Sequence, residues 1–388
     1  MQFNLDAEQQ LLSDSVSRFL QNDYGFEART RLLAAGGSGL IWRTFADNGW
    51  LAAALPEAYG GLGGSVLETV IIAQQLGRGL VLEPYLGCAV LAAQTLAAAA
   101  TDAQRDAWLP SLADGSRRLA LAYSEAAARG MPEQISTRAE GRDGGYRITG
   151  RKTLVLGGPE VDGYVVSAKT VGLSLFLVPA DAAGLTAVRT PLHDGRLAVE
   201  LTLNDVRAAE LLGVAGQGLA PLREGLAHGT LALCAELVGA MERTIEITAD
   251  YLHSRQQFGV PLASFQALQH RMADMAAELE LARSMLFAAL ASFENDDPIR
   301  RQDVLSAAKA HVSNAALNVC GQGIQLHGGI GMTDEYSVGH YYKRAVVGGV
   351  LLGGNTLHEA ACAAALQDRV AGDGGTTHAA SRRARGVP

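Results

Sequence analysis

The sequence predicts an α+β protein in which a β-rich middle domain lies between two helical domains. Three observations support this fold class. Apolar residues recur at helical spacing in the first third, short β-rich runs begin near Leu119, and helical spacing returns at Gly218. The 388 residues exceed what one hydrophobic core usually serves. We therefore expect an N-terminal α-helical domain over 1–118, a middle β domain over 119–212, a C-terminal α-helical domain over 213–370 and a disordered tail over 371–388.

The N-terminal domain is predicted to consist of helices joined by short loops. Over residues 7–22 the apolar side chains share one helical face, and Asp6 stands where an N-cap residue accepts a backbone hydrogen bond. Similar spacing predicts helices over 42–49, 66–80 and 86–99. The glycine-rich residues 55–64 are expected to form a loop among them.

The middle domain is predicted to be a small antiparallel β structure. Runs with β-forming composition cover residues 145–156, 163–169, 173–178 and 197–203. Turn-forming residues separate these runs: Pro159, Asp181, Gly184 and the pair Asp194 and Gly195.

The C-terminal domain is predicted to contain long helices. Helical periodicity covers residues 219–257, 264–294 and 304–325, and Pro298 contributes to a break between the second and the third helix. A glycine-rich loop follows, and residues 356–370 are expected to form one more helix.

Composition and charge exclude several classes of protein. The net charge of −8 argues against a nucleic-acid-binding protein, which normally carries a basic face. The N-terminus lacks the pattern of a signal peptide, and the most apolar stretch, 86–100, is too short to span a bilayer. We therefore expect a soluble, cytoplasmic protein without membrane contact. The 4 cysteines form no CxxC pair, so we expect no metal site.

Two segments carry residue types that could bind a cofactor. In residues 255–266, Arg255 stands near a helix end and Phe258 follows one turn later, so a phosphate and a flat ring could bind there. In residues 325–336, glycines without Cβ atoms would let a ligand approach the backbone. Chemistry alone leaves ordinary alternatives open, namely a helix–helix turn with a solvated arginine and a helix C-cap with a wide turn.

Together these segments resemble the acyl-CoA dehydrogenase family, and the resemblance spans nearly the whole chain. Four of the family's patterns occur in the family's order. They are a PEEYGG-like loop at 56–61, GYxxxGxKT over 145–153, RxxFGxPxxxFQ over 255–266 and QxxGGxG over 325–331. Within the family, residues 156–159, 265–272 and 327–335 are most similar to the small subunit of pimeloyl-CoA dehydrogenase.

The resemblance implies an N-terminal helical domain, a middle β-barrel and a C-terminal four-helix bundle. It also implies FAD, bound between subunits. By this resemblance Arg255 and Phe258 would hold the pyrophosphate end of FAD from a neighbouring protomer, with Gln266 nearby. Ser124 would offer a hydroxyl to the flavin. The adenosine and pyrophosphate path would be lined by Gln325, Gly328 and Gly329.

The catalytic carboxylate of the family has no counterpart at its expected place. The family reaction removes the α-proton of an acyl-CoA thioester, which requires a positioned base. The usual Glu position falls near Leu352 and Gly353, and the position used by other members falls near Gly229, so neither carries a carboxylate. Other candidate bases are His228, Asp334, Glu335 and Glu359. The backbone N–H groups of Gly353 and Gly354 could still polarise the thioester carbonyl.

These observations favour an FAD-dependent acyl-CoA dehydrogenase-type subunit that performs α,β-dehydrogenation of a CoA thioester, as in fatty acid metabolism. The missing Glu indicates dependence on a second acyl-CoA dehydrogenase-like subunit in a heterotetramer, with a homodimer or homotetramer using another base as the alternative. A non-catalytic scaffold that binds FAD and acyl-CoA, or a flavin-dependent monooxygenase on the same fold, also remains open, because fold alone does not select the chemistry.

Overall fold

The N-terminal part of the protein is helical. The computed structural model describes residues 5–37, 39, 41–128, 130–142, 144–157, 160–294 and 297–367, so the expected tail over 371–388 lies outside the described residues. The helices of this part are α1 (Ala7–Asn22), α2 (Phe26–Ala34), α3 (Trp42–Asp47), α4 (Val66–Arg78), α5 (Ala93–Ala99) and α6 (Asp102–Ala113). A π-helical segment, Tyr85–Ala92, runs directly into α5.

Side-chain caps determine where several of these helices begin. Asp6, Ser65 and Thr101 each accept a hydrogen bond from the first turn of the helix that follows, in a reciprocal capping box. The predicted helices are present, but the sequence patterns missed α2 and α6. These two helices have few buried residues, so their apolar periodicity is weak.

The middle part forms one mixed sheet of eight strands. They are β1 (Leu119–Ala122), β2 (Arg138–Arg142), β3 (Gly145–Leu156), β4 (Gly163–Lys169), β5 (Leu173–Pro179), β6 (Leu185–Pro191), β7 (Leu197–Arg207) and β8 (Glu210–Leu212). The strand order is β6-β7-β3-β2-β4-β5-β8, and β1 pairs in parallel with β4. The expected β structure is therefore present, but it is not purely antiparallel, because β1 and β2 both pair in parallel with β4. Its closure into a barrel stays a prediction.

The C-terminal part is again helical. It contains α7 (Leu219–Ser254), α8 (Gln266–Ala291), α9 (Pro298–His327), α10 (Val338–Val350) and α11 (residues 355–367). A small hairpin, β9 (Gln256–Gln257) with β10 (Val260–Pro261), connects α7 to α8. Within the described ranges, no helix is both long and apolar enough to cross a membrane. The arrangement as a four-helix bundle stays a prediction.

Helix α10 replaces part of the glycine-rich loop that the sequence predicted. A Cβ atom on Gly348 would lie 2.8 Å from the Leu237 side chain on α7. The glycine therefore allows two helices to pack closely and does not interrupt α10.

Helices α7 and α9 lie side by side and run in the same direction. Thr244 on α7 contacts Cys320 on α9 at 3.5 Å, and further along the Tyr251 ring stacks on the His327 ring with 4.5 Å between centroids. The second contact involves later residues on both helices, so the helices are parallel. They form one pair that ends at Ser254 and His327.

A buried ionic network joins the three parts of the protein. Arg344 on α10 donates to both carboxylate oxygens of Glu236 on α7 and to Asp194 in the β6–β7 turn. Arg29 on α2 donates to the Asp194 backbone oxygen. Because these groups are withdrawn from water, removing one partner would leave an uncompensated buried charge. The network therefore fixes how the parts pack.

Candidate active site

A cavity of about 320 Å³ lies where the three parts of the protein meet. This volume is in the range of small-molecule sites. The π-helical segment, the end of β1, strand β3 and the turn between α10 and α11 form its walls. The lining residues are Leu91, Leu121, Tyr123, Ser124, Glu125, Ala126, Gly130, Thr153, Leu154, Leu156, Val350, Leu351, Leu352, Gly353 and Gly354.

The Ser124 and Thr153 hydroxyl groups lie on one wall of the cavity without a partner among the described residues. Ser124 and Thr153 both line the cavity, and neither side chain makes a hydrogen bond within the described part of the chain. The Thr153 N–H donates to the Ser124 backbone oxygen at 2.9 Å, so the two segments are held together. The next residue, Leu154, has a φ of 51° at an irregularity in the β3–β7 pairing. Strained backbone of this kind is often found at functional sites.

Glu125 is the one carboxylate among the described lining residues, and its oxygens are already committed. One oxygen accepts from the Lys152 ammonium at 2.8 Å and from the Thr137 hydroxyl at 2.7 Å. The other accepts from the backbone N–H and the hydroxyl of Ser136. Burial would raise the pKa of Glu125, but Lys152 and these hydrogen bonds outweigh burial and hold the pKa at about 2. Glu125 is therefore unsuited to accept a proton from a substrate.

The turn from Leu351 to Gly354 forms the opposite wall, and it is the place where the family's Glu was expected. Leu352 and Gly353 have φ values of 58° and 101°, so the turn is tightly bent. The N–H groups of Gly353 and Gly354 donate to no acceptor within the described residues. A Cβ atom on Gly354 would have no neighbour within 4 Å. The turn thus offers backbone donors and free space, and no carboxylate.

The other candidate bases lie away from the cavity. Gly229 on α7, the alternative position of the family's base, is not among the lining residues, because a Cβ atom there would overlap Leu91 and lie 3.4 Å from Leu352, which line the cavity. His228 lies 3.4 Å from Glu224 and packs its ring edge against Phe293. The remaining candidates are outside the cavity lining: Asp334 pairs with Lys343, Glu335 is exposed, and Glu359 accepts from Asn314.

The predicted FAD-binding motifs of the C-terminal domain meet at a second place, which we call the tip. Phe258 is 93% exposed, has a φ of 53°, and lies 6.3 Å from the Phe265 ring, between centroids. The stacked Tyr251 and His327 rings bring the ends of α7 and α9 together beside it. The six predicted residues of the tip are all exposed: Arg255, Phe258, Gln266, Gln325, Gly328 and Gly329.

The tip and the cavity lie far apart within one chain. Gly229 on α7 lies against the lining residues Leu91 and Leu352, and Arg255 follows the end of that helix 26 residues later. At about 1.5 Å per residue, the two places are separated by about 39 Å along the helix axis. That distance is longer than an extended dinucleotide. The structure therefore brings together Ser124, Gly353 and Gly354, and it places the tip residues elsewhere.

The cavity fits a flat ring with a polar edge, such as the flavin of FAD. Leucine side chains supply apolar walls, for example Leu121 and Leu156, and the unpaired hydroxyls of Ser124 and Thr153 supply hydrogen-bonding groups. Few polar groups on an apolar wall are typical of cofactor sites.

Comparison with known proteins identifies the family. Models of the acyl-CoA dehydrogenase N-terminal, middle and C-terminal domains match residues 6–116, 120–206 and 216–367. Acyl-CoA dehydrogenase FadE27 of Mycobacterium tuberculosis is 32% identical over 323 residues, which cover 81% of this chain and 85% of the relative.

Solved structures agree with this match. A structure named as a Tcur3481–Tcur3483 steroid ACAD G363A variant has a TM-score of 0.85 at 31% identity, covering 94% of this chain and 99% of the other. The ChsE4–ChsE5 complex of Mycobacterium tuberculosis has a TM-score of 0.87 at 29% identity, covering 95% and 99%. The chain therefore belongs to the acyl-CoA dehydrogenase family of FAD-dependent oxidoreductases.

Proposed function

We propose that this chain is an FAD-binding, acyl-CoA dehydrogenase-type subunit that holds a CoA thioester in the cavity and depends on a partner chain for turnover. The observation that carries this proposal is the composition of the cavity wall. It offers hydroxyl and backbone donors, whereas its one described carboxylate, Glu125, is paired with Lys152.

The proposed reaction is the α,β-dehydrogenation of an acyl-CoA thioester. Its α-proton is weakly acidic, so a positioned base and donors to the thioester oxygen are both needed. Bound FAD would supply the hydride acceptor. The chain's own contribution is to bind the thioester, orient it and exclude water through the leucine walls.

Particular residues of the cavity have proposed roles. We propose that the Ser124 hydroxyl hydrogen-bonds the polar edge of the flavin, since it lines the cavity and has no hydrogen-bond partner among the described residues. The backbone N–H groups of Gly353 and Gly354 are proposed donors to the thioester carbonyl oxygen, since they line the cavity and have no acceptor among the described residues. These roles require no side chain at either glycine.

The tip is proposed to bind FAD that is held mainly by a neighbouring subunit. The distance of about 39 Å along α7 prevents one dinucleotide from reaching both places in one chain. Arg255, Phe258 and Gln266 would contact the pyrophosphate end of that FAD. Gln325, Gly328 and Gly329 would line its adenosine and pyrophosphate path, where the glycine positions have open space around them.

A second, similar chain is the proposed partner. The named ChsE4–ChsE5 complex is an assembly of two different chains, and it shares this fold. A heterotetramer in which the other chain carries the Glu would explain why the described lining residues include no unpaired carboxylate. A homodimer or homotetramer would leave the missing base unexplained. Two similarities suggest the kind of acyl group. The similarity to the pimeloyl-CoA dehydrogenase small subunit suggests a long or dicarboxylic group, and the structure named as a steroid ACAD suggests a ring-bearing group.

The chain purified alone tests this proposal. We expect a yellow protein with a flavin spectrum that binds acyl-CoA thioesters but is not bleached by them without oxygen. Short, long, dicarboxylic and ring-bearing thioesters should be compared. Rapid bleaching by the chain alone would contradict the dependence on a partner.

Two other outcomes would favour the alternative functions. A colourless protein that becomes yellow with a second dehydrogenase-like chain would identify a scaffold, an alternative supported by the absence of an unpaired carboxylate among the described lining residues. Oxygen consumption with a separate flavin reductase, together with hydroxylation of a substrate, would identify a monooxygenase.

A further inference from the structure

Lys309 is a fully buried lysine directly behind the turn that lines the cavity. Its ammonium group donates to the backbone oxygens of Gly348 at 2.9 Å and Gly353 at 3.4 Å, and to the Ser313 hydroxyl at 3.0 Å. No carboxylate of the described residues lies within 4.0 Å of it. A buried charge without an ion-pair partner is costly, which indicates a specific role.

This geometry suits the charged form of Lys309. Its nitrogen contacts two backbone oxygens and the Ser313 hydroxyl, and the ammonium form has three N–H donors for these three contacts. Burial lowers the pKa of Lys309 to about 8, which still leaves it protonated at neutral pH. The titratable or charged groups that face it are Cys234 on α7, Arg344 on α10 and His358 on α11.

His358 completes the support behind the same turn. Its Nε2 atom lies 3.1 Å from the Leu352 backbone oxygen, so that nitrogen carries a proton and donates it. Burial, with the nearby Lys309 charge, lowers the pKa of His358 to about 4, so the ring is neutral at neutral pH. Both carbonyls of the turn are therefore held by donors from α9 and α11.

The two supported carbonyls belong to the same peptide groups as the two free N–H donors. In a trans peptide the C=O and N–H groups point in opposite directions. The Leu352 carbonyl is paired with the Gly353 N–H, and the Gly353 carbonyl with the Gly354 N–H. A donor on the carbonyl side polarises the peptide and strengthens the N–H on the other side.

We infer that Lys309 is a positioning residue of this site, which fixes and polarises the Gly353–Gly354 peptide so that the Gly354 N–H binds an oxygen that gains negative charge, beside the Gly353 N–H of the peptide that His358 supports. That oxygen is the thioester oxygen of an acyl-CoA enolate. The inference rests on the proposed function. It assigns the turn to anion stabilisation, a task separate from the proton removal that a base performs.

The test uses acetoacetyl-CoA as a probe with the FAD-loaded protein. This thioester loses an α-proton to solvent and becomes an enolate with its own near-ultraviolet absorbance. We expect the bound probe to ionise at a lower pH than the free probe. A charge acting across one peptide group accounts for a shift of about one pH unit or more. This readout needs neither turnover nor a catalytic base.

Two substitutions separate charge from hydrogen bonding. Lys309→Gln keeps an N–H donor but removes the charge, and Lys309→Met removes both. Both should move the ionisation of the bound probe back toward that of the free probe. Ser313→Ala, the matched control, keeps the ammonium group and its two carbonyl contacts, so it should leave the ionisation within a few tenths of a unit of the parent value.

The outcomes distinguish a failure of this inference from a failure of the proposed function. If the parent protein binds the probe without lowering its ionisation pH, the inference is wrong, and this holds even if no Lys309 variant folds. The same conclusion follows if Lys309→Gln folds and leaves the shift intact. If the parent protein binds neither FAD nor the probe, the proposed function fails and the inference fails with it.

Discussion

Placing a carboxylate at Gly354 should convert this cavity into one that contains its own base. Gly354 lines the cavity, and a Cβ atom there would meet no heavy atom within 4 Å. Its backbone lies outside the left-handed region that favours glycine. Gly354→Glu can therefore be accommodated without moving the wall, and its carboxylate would extend into the open space where substrate is expected.

The expected size of the effect follows from the two adjacent glycines. Gly354→Glu should change the free energy of unfolding by no more than about 1 kcal/mol, because neither steric overlap nor backbone strain opposes it. At Gly353 the φ of 101° and the approach of Leu357 and His358 to 2.9 and 3.0 Å should cost about 1–3 kcal/mol for the same change. A positioned general base typically contributes 10²–10⁴-fold in rate, so we expect a gain of about 100-fold for Gly354→Glu.

The assay is anaerobic bleaching of the flavin after mixing with acyl-CoA thioesters of different shapes. Gly354→Gln is the matched control, because it has the same size and cannot ionise in this range. The gain should appear with Gly354→Glu only, and it should increase with pH as the new carboxyl group ionises. Urea unfolding of each variant would check the predicted difference in stability.

Two results would refute the reasoning. A parent protein that bleaches as fast as Gly354→Glu would mean that the chain already has a base. A folded Gly354→Glu protein that binds FAD and acyl-CoA, but gains nothing over Gly354→Gln, would mean that the cavity does not orient the α-carbon toward this turn.

Three further predictions concern stability, pH and the tip. Glu125→Gln leaves the Lys152 ammonium buried without its partner, so urea unfolding should show a loss of about 3–5 kcal/mol; a loss below about 1 kcal/mol would contradict the pairing, and Lys152→Met in the same chain should restore most of the loss. In the unfolded chain the pKa of His358 is about 6.5, whereas burial in the folded protein lowers this pKa to about 4. The parent should therefore lose about 3 kcal/mol as pH falls through this window, and His358→Gln should lack that component in urea unfolding at several pH values; equal pH dependence in both proteins would contradict it. Phe258→Ser should leave the stability within about 0.5 kcal/mol, because the ring is 93% exposed. It should nevertheless weaken FAD retention on gel filtration about tenfold or more, and an unchanged flavin content would argue against the tip as a cofactor contact.

The sequence predicted those elements that have a strong local pattern. Helix α1 and strands β3 and β4 begin and end where apolar periodicity and turn residues indicated. Helix α10 was missed because its glycines resemble a loop. Its actual constraint is the close approach of Gly348 to Leu237, which is distant in sequence. A local pattern carries no information on such a contact.

The candidate site was predictable in the same uneven way. Ser124, Gly353 and Gly354 were recognised through motif order, and the cavity brings them together. The roles of Lys309 and His358 were not recognised. The single lysine in the alanine-rich residues 307–316 could have indicated a buried charge with a specific role, because charged residues are seldom fully buried. Its partners are backbone carbonyls of another segment, and no residue pattern marks those.

The length of α7 has a consequence for how mutations act in this protein. The helix keeps the cavity and the tip about 39 Å apart. If each tip serves a neighbour's cofactor, as proposed, then selection acts on the two ends of one helix through two different active sites. A chain can lose the carboxylate at its own cavity while its neighbour's activity still preserves Arg255 and Phe258. Damage at the tip would therefore appear as a defect in the other subunit, and genetic complementation between the two chains would reveal it.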